Sequence, residues 1–368
     1  MSLFGYLKRL LSSNPVSQHT DGRSGIGYVD AIFQNLVVEE KVPGLSVTIL
    51  HKGETLLQKG YGYAVMDHGI TVDPARTLFR IASISKCITA LALGKMVEEG
   101  VLHWDDSFYN HVPYYPKKPF DFTLRQLASH TAGIRGYKEK EYALNQPYSI
   151  KQSIDVFKND PLVFEPGKGY LYNSYDFVLL ALAMQEASQI PFEEYVRQKV
   201  LLPLDMDDTL FPVKMDQNGY ANQGKSFSEF YTKNRSGFRK AVEVDNFYKL
   251  AGGGYLSTSN DIAKMGQAIL DGKLLSKETY DELFMAQMIN GKSTYYGLGF
   301  QASYNNLGKP FVGHVGNSVG AYTNFFVYPN DQLVVSVLVN CTDPKIQPVL
   351  DEVTHKIFFE NFIALKSA

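Results

Sequence analysis

The chain has 368 residues, 45% hydrophobic and 20% charged, the composition of an ordinary globular protein built as one composite body or two domains. Its 36 basic and 38 acidic side chains leave a net charge of −2, so no basic field exists to hold nucleic acid or an acidic membrane. Two cysteines argue against a disulfide framework, and no apolar run approaches the roughly 18 residues that a membrane span needs.

From the N-terminus, Met1–Leu11 is short and amphipathic, with its basic residues after the apolar ones, the wrong order for a secretory signal. It reads as a weak surface anchor or targeting remnant, or as a docked or frayed terminal helix. Residues 12–27, rich in Ser, Gly, Asn and Thr, read as a linker. Val29, Ile32, Phe33, Leu36 and Val37 then recur at helical spacing, up to Pro43-Gly44. Leu45–Leu50 and Leu56–Val65 flank the turn His51-Lys-Gly53 and predict a β-hairpin. Over 84–97 the residues Ile84, Cys87, Ile88, Leu91, Leu93, Met96 and Val97 leave little polar face, which predicts a buried helix closed by Gly100.

Strand signals thin out from about 101 to 250, where Phe177–Glu186 and Phe192–Leu202 predict helices and 203–245 is the least periodic stretch, a candidate mobile loop. After Gly252-Gly-Gly254 the pattern predicts a helix over Asp261–Leu270, capped by Ser259. Strands follow at Leu298–Tyr304, Pro310–Val315, Tyr322–Tyr328 and Leu333–Val339, and Val349–Phe362 closes as an amphipathic helix. β-Rich ends around a helical middle predict an α+β fold. One antiparallel sheet flanked by helices is built from 28–100 and 250–368, a mainly helical domain is inserted at 101–249, and 1–27 is an N-terminal segment.

The chemistry begins at Ser83-Ile84-Ser85-Lys86, the one S-x-x-K in the chain. Positions i and i+3 share a helix face, so the hydroxyl and the amine can meet. A serine at a helix N-terminus also gains from unpaired backbone N–H groups and the local dipole, which stabilise an alkoxide and the oxyanion that follows. The amine must be neutral for part of the cycle, which burial in the apolar helix favours. Tyr172 stands where a turn enters the apolar run Phe177–Leu180, placed to share the serine's proton or pass one to a leaving group. Twenty-four tyrosines and three other Y-x-N tripeptides make a purely structural tyrosine the competing reading.

In Gly313-His314-Val-Gly316-Asn317, glycine lets the backbone approach a ligand closely. The Asn317 N–H is then a candidate oxyanion donor, and His314 either binds a substrate carboxylate or joins the lysine's proton network, unless it is simply a packed strand histidine. Gly316-Asn-Ser318-Val-Gly320 also matches G-x-S-x-G, but that elbow must join a strand to a helix, and strand-like Ala321–Tyr328 follows it. The eight histidines are scattered without metal-ligand spacing, so no metal or cofactor is expected.

Taken together, Ile81–Lys86, Thr123–Ile134, Phe164–Leu180, Ala251–Thr258 and Gly313–Gly316 resemble, in order, the motif set of class C β-lactamases, family VIII carboxylesterases and related penicillin-binding-protein-like serine hydrolases. Phe157–Leu162, Gly133–Tyr137 and Val244–Gly254 are most similar to the mitochondrial β-lactamase-like proteins and their bacterial relatives. The resemblance implies Ser83 as nucleophile, Lys86 as base or proton shuttle, Tyr172 as catalytic tyrosine, and the N–H groups of Ser83 and Asn317 as the oxyanion hole. His314-Val-Gly316 stands where many relatives have Lys-Thr-Gly, and Ser174 where an asparagine often ends the second motif. Both departures favour small ester, peptide or amide substrates over β-lactams, which are weak substrates at best. The alternative is a binding or assembly module on a retired hydrolase fold. No transmembrane segment is expected, a homo-oligomer is left open, and the compartment is open too (cytoplasmic, or periplasmic in a bacterium).

Overall fold

The computed structural model describes residues 23–212 and 225–359, so Met1–Leu11, most of the expected linker and part of the candidate mobile loop lie outside the described residues. A helix runs over Gly25–Val38, three residues into the stretch expected to be linker, because Val29, Ile32, Phe33 and Leu36 bury one side of it. The strands Gly44–His51 and Glu54–Val65 pair as the expected hairpin, and the Lys52-Gly53 turn has positive φ at both residues (51° and 78°), which suits the right-handed twist of the flanking strands.

The principal sheet has seven strands, all antiparallel, in the order 301–304, 310–318, 321–328, 333–339, 44–51, 54–65, 70–71. The two ends of the chain meet at its centre, where Leu45 faces Val339 and His51 faces Leu333. Alternation along Leu333–Val339 divides the core. Leu333, Val335, Val337 and Val339 face one layer with Phe33, Leu36 and Ile357, residues of the first helix and the last, Gln347–Phe359. Val334 and Leu338 face the other layer, shared with the helices Ser85–Glu98, Tyr175–Ser188 and Ser259–Leu270. Residues 360–362, expected to extend the last helix, lie outside the described residues.

Two further details differ from expectation. The helix at 259–270 is capped by Thr258, whose side chain accepts from Asp261 N, whereas Ser259 lies inside the first turn and bonds the Ser46 and Thr48 hydroxyls of the sheet. Short strands Ser226–Phe227, Tyr231–Asn234 and Gly237–Lys240 occur within the stretch that has no period, since two to four residues are too few to show one. None of the three joins the seven-stranded sheet. Among the described residues no helix is long and apolar enough to cross a membrane.

Candidate active site

The Thr77–Arg80 strand leads into a single tight turn, Ala82–Ile84, and then the helix Ser85–Glu98. Ala82 has φ of 49°, a left-handed conformation that costs energy for any residue with a Cβ, and it throws Ser83 to the mouth of the helix. Ser83 is half-buried; one helical turn on, Lys86 is fully buried, at 0% exposed. The Lys86 Nζ lies 3.3 Å from Ser83 Oγ and donates to Gly252 O at 2.6 Å. It also sits over the rings of Tyr172 and Phe177, at 4.8 and 5.3 Å from their centroids. No carboxylate is hydrogen-bonded to it, and burial brings its pKa down to about 7.

Tyr172 donates its phenol proton to Ser83 Oγ at 2.6 Å. Its ring is 39% exposed on the cleft side, while crowding by surrounding protein raises the phenol's pKa and the bond to Ser83 opposes that rise. The two groups flanking Ser83 are therefore pushed in opposite senses of availability: the amine is partly neutral at pH 7 and the phenol stays protonated. A serine between a ready base and a fixed proton donor can lose its own proton to the one while bonded to the other.

The glycine segment Ala251–Gly254 is fastened onto the same helix by Thr89, which donates to Ala251 O, and by Ser85, which accepts from Tyr255 N. On the opposite side runs the strand Pro310–Ser318. Its partner 301–304 ends opposite Gly313, and Val315 N donates instead to the Gln301 side chain on that edge. Backbone direction repeats every two residues, so the Asn317 N–H points off the same edge, on a strand that packs against the Ala82–Ile84 turn. Gly316 makes that approach feasible, since a Cβ there would lie 2.9 Å from Ala82 Cβ, 3.0 Å from Ile81 O and 2.2 Å from Thr323 Oγ1.

His314 is buried with both ring nitrogens occupied. Val315 O can only accept, so Nδ1 at 2.6 Å carries the proton, and Nε2 accepts from the Tyr296 phenol at 3.0 Å. Burial, reinforced by Lys86, holds its pKa down to about 3, so the ring is neutral at pH 7 and stands 5.7 Å from that of Tyr172. Ser174 bonds the Tyr137 phenol, and its backbone packs against Gly252. The neighbouring Asn173 is buried; its Oδ1 accepts from Asp176 N and so caps the helix that Tyr175 begins.

Sequence reasoning did not single out His130, Asp176, Asn173 or Tyr296. His130 and Asp176 form a fully buried pair, Nδ1 to Oδ2 2.8 Å, with the imidazole 4.6 Å from the Tyr172 ring. Burial drives the imidazole's pKa well down and the carboxyl's well up. The signal available was the Ser129-His-Thr segment of the resemblance, but only folding shows which ring it meets.

The serine of the G-x-S-x-G match, Ser318, ends a strand that turns directly into the strand Ala321–Tyr328, so it is not on a strand-to-helix elbow. A separate cavity of about 470 Å³ near Tyr295, Ser303 and Phe311 has no lysine, histidine or carboxylate in its lining and offers a nucleophile no base.

Comparisons with known proteins agree with this fold. A family profile described as Beta-lactamase matches residues 29–356. The serine beta-lactamase-like protein LACTB, mitochondrial, of Homo sapiens is 29% identical over 307 residues, 64% of this chain and 54% of that protein. The chain thus spans about half the length of the mitochondrial relatives it matches. The octameric penicillin-binding protein homologue from Pyrococcus abyssi superposes with a TM-score of 0.76 at 28% identity, over 87% of this chain and 74% of that one. D-amino acid amidase from Ochrobactrum anthropi SV3 superposes with a TM-score of 0.76 at 20% identity, over 89% and 98%, a likeness of fold alone.

Proposed function

The chain belongs to the beta-lactamase family, and from that premise we propose that it is a serine acyl hydrolase working through an acyl-enzyme on Ser83. The observation that carries the proposal is a serine hydroxyl 3.3 Å from a fully buried lysine with a pKa of about 7 and 2.6 Å from a protonated phenol. In this reading the Ser83 Oγ attacks a substrate carbonyl carbon as its proton passes to neutral Lys86. The N–H groups of Ser83 and Asn317 receive the oxyanion, each such donor being worth roughly 2.7–4 kcal/mol in the transition state. The proton returns through the Tyr172 hydroxyl to the departing alcohol or amine as the carbonyl–leaving-group bond breaks. Water then attacks the Ser83 ester, and its proton restores the serine.

The substrates we propose are small esters and peptide-like amides. A neutral, fully bonded His314 supplies no cation to grip the carboxylate of a β-lactam, which supports weak β-lactam turnover at best. The Pyrococcus relative is octameric, so self-assembly belongs to the proposal.

A fluorophosphonate probe tests it. Stoichiometric labelling of the folded chain, lost in Ser83→Ala, is the expected result, together with turnover of p-nitrophenyl esters. Absence of labelling on protein with a native circular dichroism spectrum overturns it and leaves the binding-module reading.

A further inference from the structure

Tyr172 is hydrogen-bonded to Ser83, but the loop that carries it is held from behind. His130 O accepts from Leu171 N at 3.0 Å, clamping the residue before the tyrosine. Asn173, the residue after it, donates from Nδ2 to Ile134 O, Leu171 O and Asp176 Oδ2, at 3.1, 3.0 and 2.6 Å. Asp176 Oδ2 also meets His130 Nδ1 at 2.8 Å, so the two clamps share one carboxylate. The His130 ring stands edge to face against Tyr172 at 4.6 Å and tilted against Tyr296 at 4.9 Å. His130 takes φ of 62°, a left-handed conformation uncommon for a residue with a Cβ.

The arrangement is costly. Among the described residues His130 Nε2 and Asp176 Oδ1 are buried with no hydrogen-bond partner, and two ionisable groups in such a place forgo stability that an apolar pair would supply. Neither side chain is hydrogen-bonded to Ser83 or Lys86, so the pair has no direct proton route to the serine. What it does touch is the ring of Tyr172 and, through Asp176, the side chain of Asn173, the residue after the tyrosine.

We infer that His130, anchored by Asp176, is a positioning residue for Tyr172: it fixes the plane and depth of the phenol so that its hydroxyl stays on Ser83 Oγ. This rests on the proposed function, because positioning matters only if the phenol moves a proton. A displacement of about 1 Å at a reacting group costs on the order of 100-fold in rate, and that is the loss expected in kcat for His130→Ala, with KM changed less than threefold. His130→Asn keeps a bond to Asp176 without the ring, and His130→Phe keeps the ring without the bond. Each should recover part of kcat, which guards against an alanine variant that fails to fold.

The deciding measurement is a double-mutant cycle on ester turnover, corrected for the folded fraction. If His130 acts through the tyrosine, its substitution costs about 100-fold in the wild-type background and next to nothing in Tyr172→Phe. An equal loss in both backgrounds, or no loss in either, overturns the inference while leaving the proposed function intact. A wild-type chain that the fluorophosphonate probe does not label overturns the proposed function itself.

Discussion

Lys86 lies where water cannot reach it, with the Gly252 carbonyl as its 2.6 Å acceptor and no acid to neutralise it. In the unfolded chain its amine takes a proton near pH 10.5, whereas in the fold it does so only at about 7. Its folded pKa is depressed, so the stability this group contributes is fully present above pH 10.5 and is lost as the pH falls through about 7. Two outcomes follow from one cause. Log kcat/KM for an activated ester should climb with unit slope below pH 7 and level off above it, since only the neutral amine accepts the serine's proton. Lys86→Met should abolish acylation and yet raise the unfolding free energy measured in urea at pH 7, by on the order of 1 kcal/mol or more, because it removes a buried amine whose protonation the fold opposes. A flat pH profile, or a variant less stable than the parent, would refute this account of the lysine.

At the scale of elements, the site is a meeting of a helix mouth with a sheet edge. The edge is free at Asn317 because its outer partner strand stops opposite Gly313, and the two approach closely because residue 316 has no side chain. Gly316→Ala would place a methyl 2.2 Å from Thr323 Oγ1 and 3.0 Å from Ile81 O. The Thr323 hydroxyl itself donates to Ile81 O, so the serine's turn and the strand must separate together. We expect a stability loss of about 1–3 kcal/mol from the overpacking and a larger fall in kcat than in binding, read by chemical denaturation and steady-state kinetics on the same preparation. The periodic signal located the long elements to within a few residues, as at Leu333–Val339 and Tyr175–Ser188. It gave the cap at 259 to the wrong hydroxyl, because Ser259 is drawn inward by Ser46 and Thr48 from a distant strand.

For the whole molecule, the sheet separates two apolar layers, and only one of them holds Ile84 and Phe177 beside the site. Damage to the other layer should cost stability without touching chemistry. Leu36, buried beneath the first helix, is the place to look: Leu36→Ala should lose about 2–5 kcal/mol while kcat/KM per folded molecule stays at the parental value. A matching fall in both would mean that the layers are mechanically coupled through the sheet. Of the aromatic residues near 115, Tyr115 and Phe122 pack with Phe108 in the interior, and Tyr114 and Phe120 are exposed.

The amino-acid sequence by itself determined which residues can form helix and strand, since periodicity is a local property, and it placed a serine and a lysine one helical turn apart, since three residues of helix always span that distance. It also carried the family, through motifs whose order survives in the chain. Tertiary structure alone decided that the amine is stripped of water, that Tyr172 rather than another of 24 tyrosines meets Ser83, and that His314 is neutral and spent on Tyr296. These are matters of burial and of contact between residues 18 to 166 positions apart. No local pattern encodes the dielectric around an atom or the partner across a cleft, because both are supplied by the rest of the fold.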